Sequence, residues 1–203
     1  MMKKISMAVL VAAISVLSAS AQTGWDWNIY KYKTPYPGYI VKLSGDTING
    51  YIVLMGPTEN QEKVTFLPTE NDYKNKTVYK GEDLKGFKVA DKEYRSIHYS
   101  GGLTSKPIRF VMVNVPGRIT RFIWYTNNDV TRKIDDTEIF AKADETPFDA
   151  SKFGLKFAKF WSETLADYPE LSKKVADKQK GYTLLDMYAF IEEYNKWWNE
   201  NHK

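Results

Sequence analysis

Gly38-Tyr39-Ile40-Val41-Lys42-Leu43-Ser44-Gly45-Asp46-Thr47-Ile48-Asn49-Gly50-Tyr51-Ile52-Val53-Leu54 reads as a complete β-hairpin. Two runs rich in β-branched and aromatic residues flank Ser44-Gly45-Asp46, where Gly45 supplies a positive φ and Asp46 can bond a backbone N–H of its own turn. Val41, Leu43, Ile48, Ile52 and Leu54 are expected to share the buried face. Gly50, inside the return strand, marks a close approach by another chain or side chain.

The same short period continues outward. Strands are expected at 63–67, 77–79, 86–90, 94–99, 108–114, 119–126 and 138–143, separated by Gly56-Pro57, Ala90-Asp91-Lys92, Gly101-Gly102, Pro116-Gly117 and Asn127-Asn128-Asp129. Short strands at this spacing, with no helix read between them, form an antiparallel β roll or small barrel. After Pro147 the period becomes helical. Phe153, Phe157, Phe160, Trp161 and Leu165 make one apolar stripe.

Asp167-Tyr168-Pro169-Glu170 has the form of a capping box opening a helix that buries Leu171 and Val175 and stops at Gly181. Thr183 caps a last helix with the stripe Leu184, Met187, Tyr188, Ile191, Tyr194 and Trp198. The fold class is α+β: an antiparallel β domain over 22–146, followed by a three-helix C-terminal subdomain over 147–203 packed on it.

Ahead of the sheet, residues 1–21 have the form of a secretory signal peptide: Lys3 and Lys4, an apolar run from Ile5 to Leu17, then Ala19-Ser20-Ala21. That run is too short for a membrane span, which needs about 20 residues. Cleavage is expected between Ala21 and Gln22. With Lys3 and Lys4 removed, 27 basic residues face 25 acidic ones, so a nucleic-acid partner is not expected. Nor is stable membrane insertion expected, and the absence of Cys rules out a lipidated N-terminal Cys. The expected location is periplasmic or secreted.

Composition also narrows the chemistry. Among 203 residues there are 2 His and no Cys, which excludes disulfides, Cys nucleophiles and thiolate or His-rich metal centres. No catalytic, metal or cofactor site is expected. His98, the only imidazole away from the C-terminus, has no partner constellation, and Asp135, Asp136 and Glu138 lack the alternation of a calcium loop and read as a solvated turn. Asp46-Thr47-Ile48 matches a short bacterial O-glycosylation pattern, although the turn alone demands those residues.

Several segments carry a resemblance. Gly38-Tyr39-Ile40-Val41, Gly45-Asp46-Thr47-Ile48-Asn49-Gly50, Asp83-Leu84-Lys85-Gly86-Phe87, Tyr94-Arg95-Ser96, Asp167-Tyr168-Pro169-Glu170-Leu171 and Ile191-Glu192-Glu193-Tyr194-Asn195 resemble a family of uncharacterised secreted Bacteroidetes-type proteins. Members often have Cys where Tyr168 stands. The resemblance implies export and this architecture; it brings no activity.

The remaining excess is aromatic: 6 Trp, 14 Tyr and 10 Phe. Most should fill the seam between sheet and helices, but Trp25, Trp27 and Trp197 are the candidates for contact with a protein or glycan partner. On an ideal helix Trp197 lies about 100° from Trp198, which would turn it outward. The expected function is non-enzymatic binding of another envelope or extracellular macromolecule. A small carbohydrate-binding module and a glycoside-active enzyme using paired carboxylates are the alternatives.

Overall fold

The computed structural model describes residues 25, 26, 28–99, 107–143 and 145–202. The expected leader, its cleavage point at Ala21 and Gln22, and Trp27 lie outside the described residues. The strands are β1 (Thr34–Lys42), β2 (Thr47–Leu54), β3 (Lys63–Leu67), β4 (Thr77–Lys80), β5 (Leu84–Val89), β6 (Lys92–His98), β7 (Ile108–Val115), β8 (Ile119–Asn128), β9 (Lys133–Lys142) and β10 (Phe148–Asp149). All pair antiparallel in one sheet, in the order β10-β9-β8-β7-β6-β5-β1-β2-β3-β4.

The sheet is curled but not closed. A 3₁₀ turn after β4 returns against β7, and Gly81 there has no room for a side chain because the Ile108 carbonyl oxygen lies 2.7 Å from where its Cβ would stand. Inside the curl, Ile40, Ile52, Leu54, Phe87, Tyr94 and Phe110 form a core with at most 1% exposure each.

The hairpin has the opposite parity to the one expected for its first strand. Ile40 pairs with Ile48 and faces the core, whereas Val41 pairs with Thr47 on the outer face and Leu43 is 58% exposed. Opposed residues in an antiparallel pair share a face, so a shift of one residue turns the whole strand over. Gly45 takes φ +100°, as the turn requires, and the Phe66 ring lies over Gly50 where a Cβ would be.

One helix interrupts the strands, contrary to the expected uninterrupted run. α1 (Pro57–Glu62) has Pro57 in its first turn, and Glu59 Oε2 accepts from Gly56 N–H at 3.2 Å. Gly56-Pro57 is therefore a helix start rather than a bare turn. Asp135 and Asp136 also differ from expectation: they belong to β9, paired with Thr126 and Tyr125 in a ribbon with β8, rather than to a solvated turn.

The helical layer comprises α2 (Phe157–Thr164), α3 (Pro169–Ala176) and α4 (Met187–Asn201), with 3₁₀ turns leading into α2 and α4. Its core joins Ile119, Phe140 and Phe148 of the sheet to Trp161, Leu171, Phe190 and Tyr194. Trp161 is completely buried, edge-on to Phe140 at 5.8 Å. Phe190 belongs to this core.

Two expected helix boundaries are replaced. Asp167 does not cap α3, because its carboxylate accepts from Tyr194 Oη at 2.8 Å and pairs with Lys142 Nζ at 3.0 Å. α3 ends at Ala176, with Lys178 taking the left-handed turn (φ 52°) ahead of Gly181. Thr183 does act as a cap, its N–H and Oγ1 both bonding Asp186 Oδ2.

Candidate functional site

The outer face of the sheet, opposite the curled core, holds a groove. Its floor follows from register: Val41 of β1 pairs with Gly86 of β5, and Gly86 pairs with Arg95 of β6. Side chains that pair directly point to the same face. Gly86 thus leaves a bare strip between Tyr39 and Val41 on one side and Arg95 on the other. The strip is a hollow of about 180 Å³. It shares Lys85 and Arg95 with a larger hollow of about 580 Å³, whose wall is Ile97, Phe122 and Ala141 and whose rim is His98, Glu145 and Pro147.

The groove is amphipathic. Its apolar end continues into a buried cluster of Val111, Phe122, Ile139 and Ala141, with Tyr99 edge-on to Trp124 at 5.2 Å. Its polar end holds two cations, Lys85 and Arg95, and one carboxylate, Glu93. Arg95 donates from Nε to Glu93 Oε1 at 3.0 Å and from Nη1 to Thr120 Oγ1 at 3.3 Å, which fixes the guanidinium plane while the side chain stays 41% exposed. Thr120 is itself held by donating to the Gly117 carbonyl at 2.8 Å. Lys85 is exposed and its ammonium points toward the Gly45 turn, at the hairpin end of the groove. Burial, with Glu93 beside it, raises the Tyr39 phenol above its ordinary value, so this hydroxyl is a neutral donor at physiological pH.

Chemically, a fixed guanidinium and a flexible ammonium beside an apolar wall suit an anionic group carried next to an apolar one. Sequence reasoning selected none of these residues for contact. The available signal was Gly86 within a strand, a position that favours close approach. The segments Gly38–Val41, Asp83–Phe87 and Tyr94–Ser96, which are distant in sequence, converge on this one groove.

The aromatic candidates are placed elsewhere. Trp25 is 8% exposed, with Nε1 donating to Tyr94 Oη at 2.9 Å, so it is part of the core and presents no ring face to a partner. Trp197 is half-buried and stacks on Tyr168 at 4.3 Å, rather than turning outward. Trp198 carries the Arg118 guanidinium 4.1 Å above its ring and stacks on His202 at 3.7 Å. His98 stands at the groove rim, exposed at the end of β6.

No family model, curated protein or solved structure matches the chain. No helix among the described residues is long and apolar enough to cross a membrane.

Proposed function

We propose that this chain is an exported, non-enzymatic protein that binds another macromolecule of the envelope or extracellular space through the outer-face groove. The observation that carries the reading is the convergence of Tyr39, Lys85, Gly86 and Arg95 around a glycine floor beside an apolar wall. The partner segment presents an acidic group to Arg95 and Lys85 and lays apolar surface on Ile97 and Phe122. The secretory form of residues 1–21 supports export, and the resemblance to secreted Bacteroidetes-type proteins points the same way.

Affinity capture from an envelope fraction tests this, comparing the native chain with Lys85→Glu/Arg95→Glu. Both side chains are substantially exposed, so the double variant is expected to fold. A protein or glycan held by the native chain should be lost with the variant. An identical captured set from both would remove the groove as the binding site.

A further inference from the structure

The end of the helical layer formed by the start of α2, the end of α3 and the approach to α4 exposes leucines that the core does not use. Leu155 is fully exposed, Leu185 is 94% exposed and Leu184 is 54% exposed. Ring contacts bring these segments together. Phe157, two residues after Leu155, packs on Phe190 in the first turn of α4 at 6.0 Å. α3 runs back along α2 after the short link 165–168, with Ser172 Oγ donating to the Ser162 carbonyl at 2.7 Å. Ala176 and the lysines after it therefore reach the level at which α2 begins.

The charge around these leucines is predominantly positive. Lys156, Lys178 and Lys180 are exposed and make no ion pair among the described residues. Of the acidic groups nearby, Asp177 is paired with Lys173 at 2.8 Å, while Asp186, bonded to Thr183, keeps its negative charge, so three unpaired lysines stand against one carboxylate. Protruding leucines beside a net excess of lysines match an interface between hydrocarbon and anionic headgroups.

We infer that this end of the helical layer docks the protein reversibly on a lipid surface carrying anionic headgroups, leaving the groove on the sheet open to its partner. Leu155, Leu184 and Leu185 enter the acyl boundary, and Lys156, Lys178 and Lys180 meet the headgroups. Three leucines and three lysines give a peripheral attachment, far weaker than a membrane span.

Vesicle flotation tests the inference, using protein purified after export with its N-terminus checked by mass. The protein should float with vesicles of phosphatidylethanolamine and phosphatidylglycerol and stay behind with phosphatidylcholine alone. Leu155→Asp/Leu185→Asp should lower binding by about tenfold or more per leucine. Lys156→Glu/Lys178→Glu should lower it by about fivefold or more per lysine at low salt, and added salt should weaken native binding. These side chains lie in solvent, so melting temperatures should not change. Equal binding to both vesicle types, no binding to either, or an unchanged leucine variant would overturn the inference. So would a native dimer that the leucine variant converts to monomer, which would assign the patch to a second copy of the chain.

Discussion

Gln61 pairs with Tyr125 as a neighbouring strand would: its Oε1 accepts from the Tyr125 N–H at 2.6 Å, and its Nε2 donates to the Tyr125 carbonyl at 2.8 Å. The β7–β8 ladder ends at Met112 and Ile123, and α1 lies against both strands there. One buried carboxamide thus satisfies two backbone groups that the ladder has abandoned. Gln61→Ala leaves both unpaired, and because a stranded buried polar group costs about 1–3 kcal/mol, the loss should be about 2–4 kcal/mol in urea unfolding. A loss below about 0.5 kcal/mol would show that water replaces the side chain.

Asn195 does for the other end of β8 what Gln61 does here. Its Oδ1 accepts from Ile119 N–H at 2.8 Å and its Nδ2 donates to the Ile119 carbonyl at 3.0 Å. Its amide occupies the space a Cβ on Gly117 would need. Gly117→Ala should therefore cost about 2 kcal/mol although its φ is not in the positive range, because the clip must shift. Gly154→Ala meets nothing within 4 Å, and should be neutral or stabilising by about 0.5 kcal/mol. Thermal unfolding of the two variants checks the contrast.

These clips show where the sequence is legible. Strand positions follow from a period of two and the stripe of α2 from a period near four, because burial imposes those spacings directly. In α4 the buried side is Met187, Phe190, Ile191 and Tyr194, and Leu184 and Tyr188 of the expected stripe are exposed. Gln61, Asn195 and Asp167 obey no period: each acts on a backbone or side chain more than 20 residues away, so only the assembled fold gives it a partner. The groove is hidden for the same reason: Tyr39, Lys85 and Arg95 meet through strand register, and the sequence pattern of β1 is one residue out of phase with the face it buries.

Both Trp197 and Trp198 are half-buried, and each carries a stacking partner. Trp197→Ala exposes Tyr168 and also loses a contact with Tyr194, whose ring is 5.8 Å away. It should cost about 1–3 kcal/mol, comparable to or greater than Trp198→Ala. Denaturant unfolding in which only Trp198→Ala destabilises would contradict this placement.

Stability should fall at both extremes of pH. Burial opposes ionisation of Asp167, but Tyr194 and Lys142 outweigh it and hold the carboxyl below its ordinary value. A depressed carboxylate stabilises the fold above its unfolded pKa of about 3.9, and this contribution is lost as pH falls through the lower folded value. The urea midpoint should therefore drop below about pH 4, less steeply in Asp167→Asn. At the alkaline end, burial pushes Tyr94 up to about 12. Burial also raises Tyr99 and Tyr125. Because the unfolded phenols ionise near 10, stability should be intact below that pH and decline from about 10 toward 12. A urea midpoint that stays constant from about pH 9 to about pH 12 would contradict it.

The claim that the outer-face groove is a binding site is tested most directly by photo-crosslinking in cells that produce the protein. A photoreactive phenylalanine analogue replaces Tyr39 at the groove or, as control, Tyr73, which is 46% exposed and away from it. A single adduct of defined mass is expected from position 39, absent from position 73 and abolished when Lys85→Glu/Arg95→Glu is added. No adduct from position 39, or the same adducts from both positions, would contradict it.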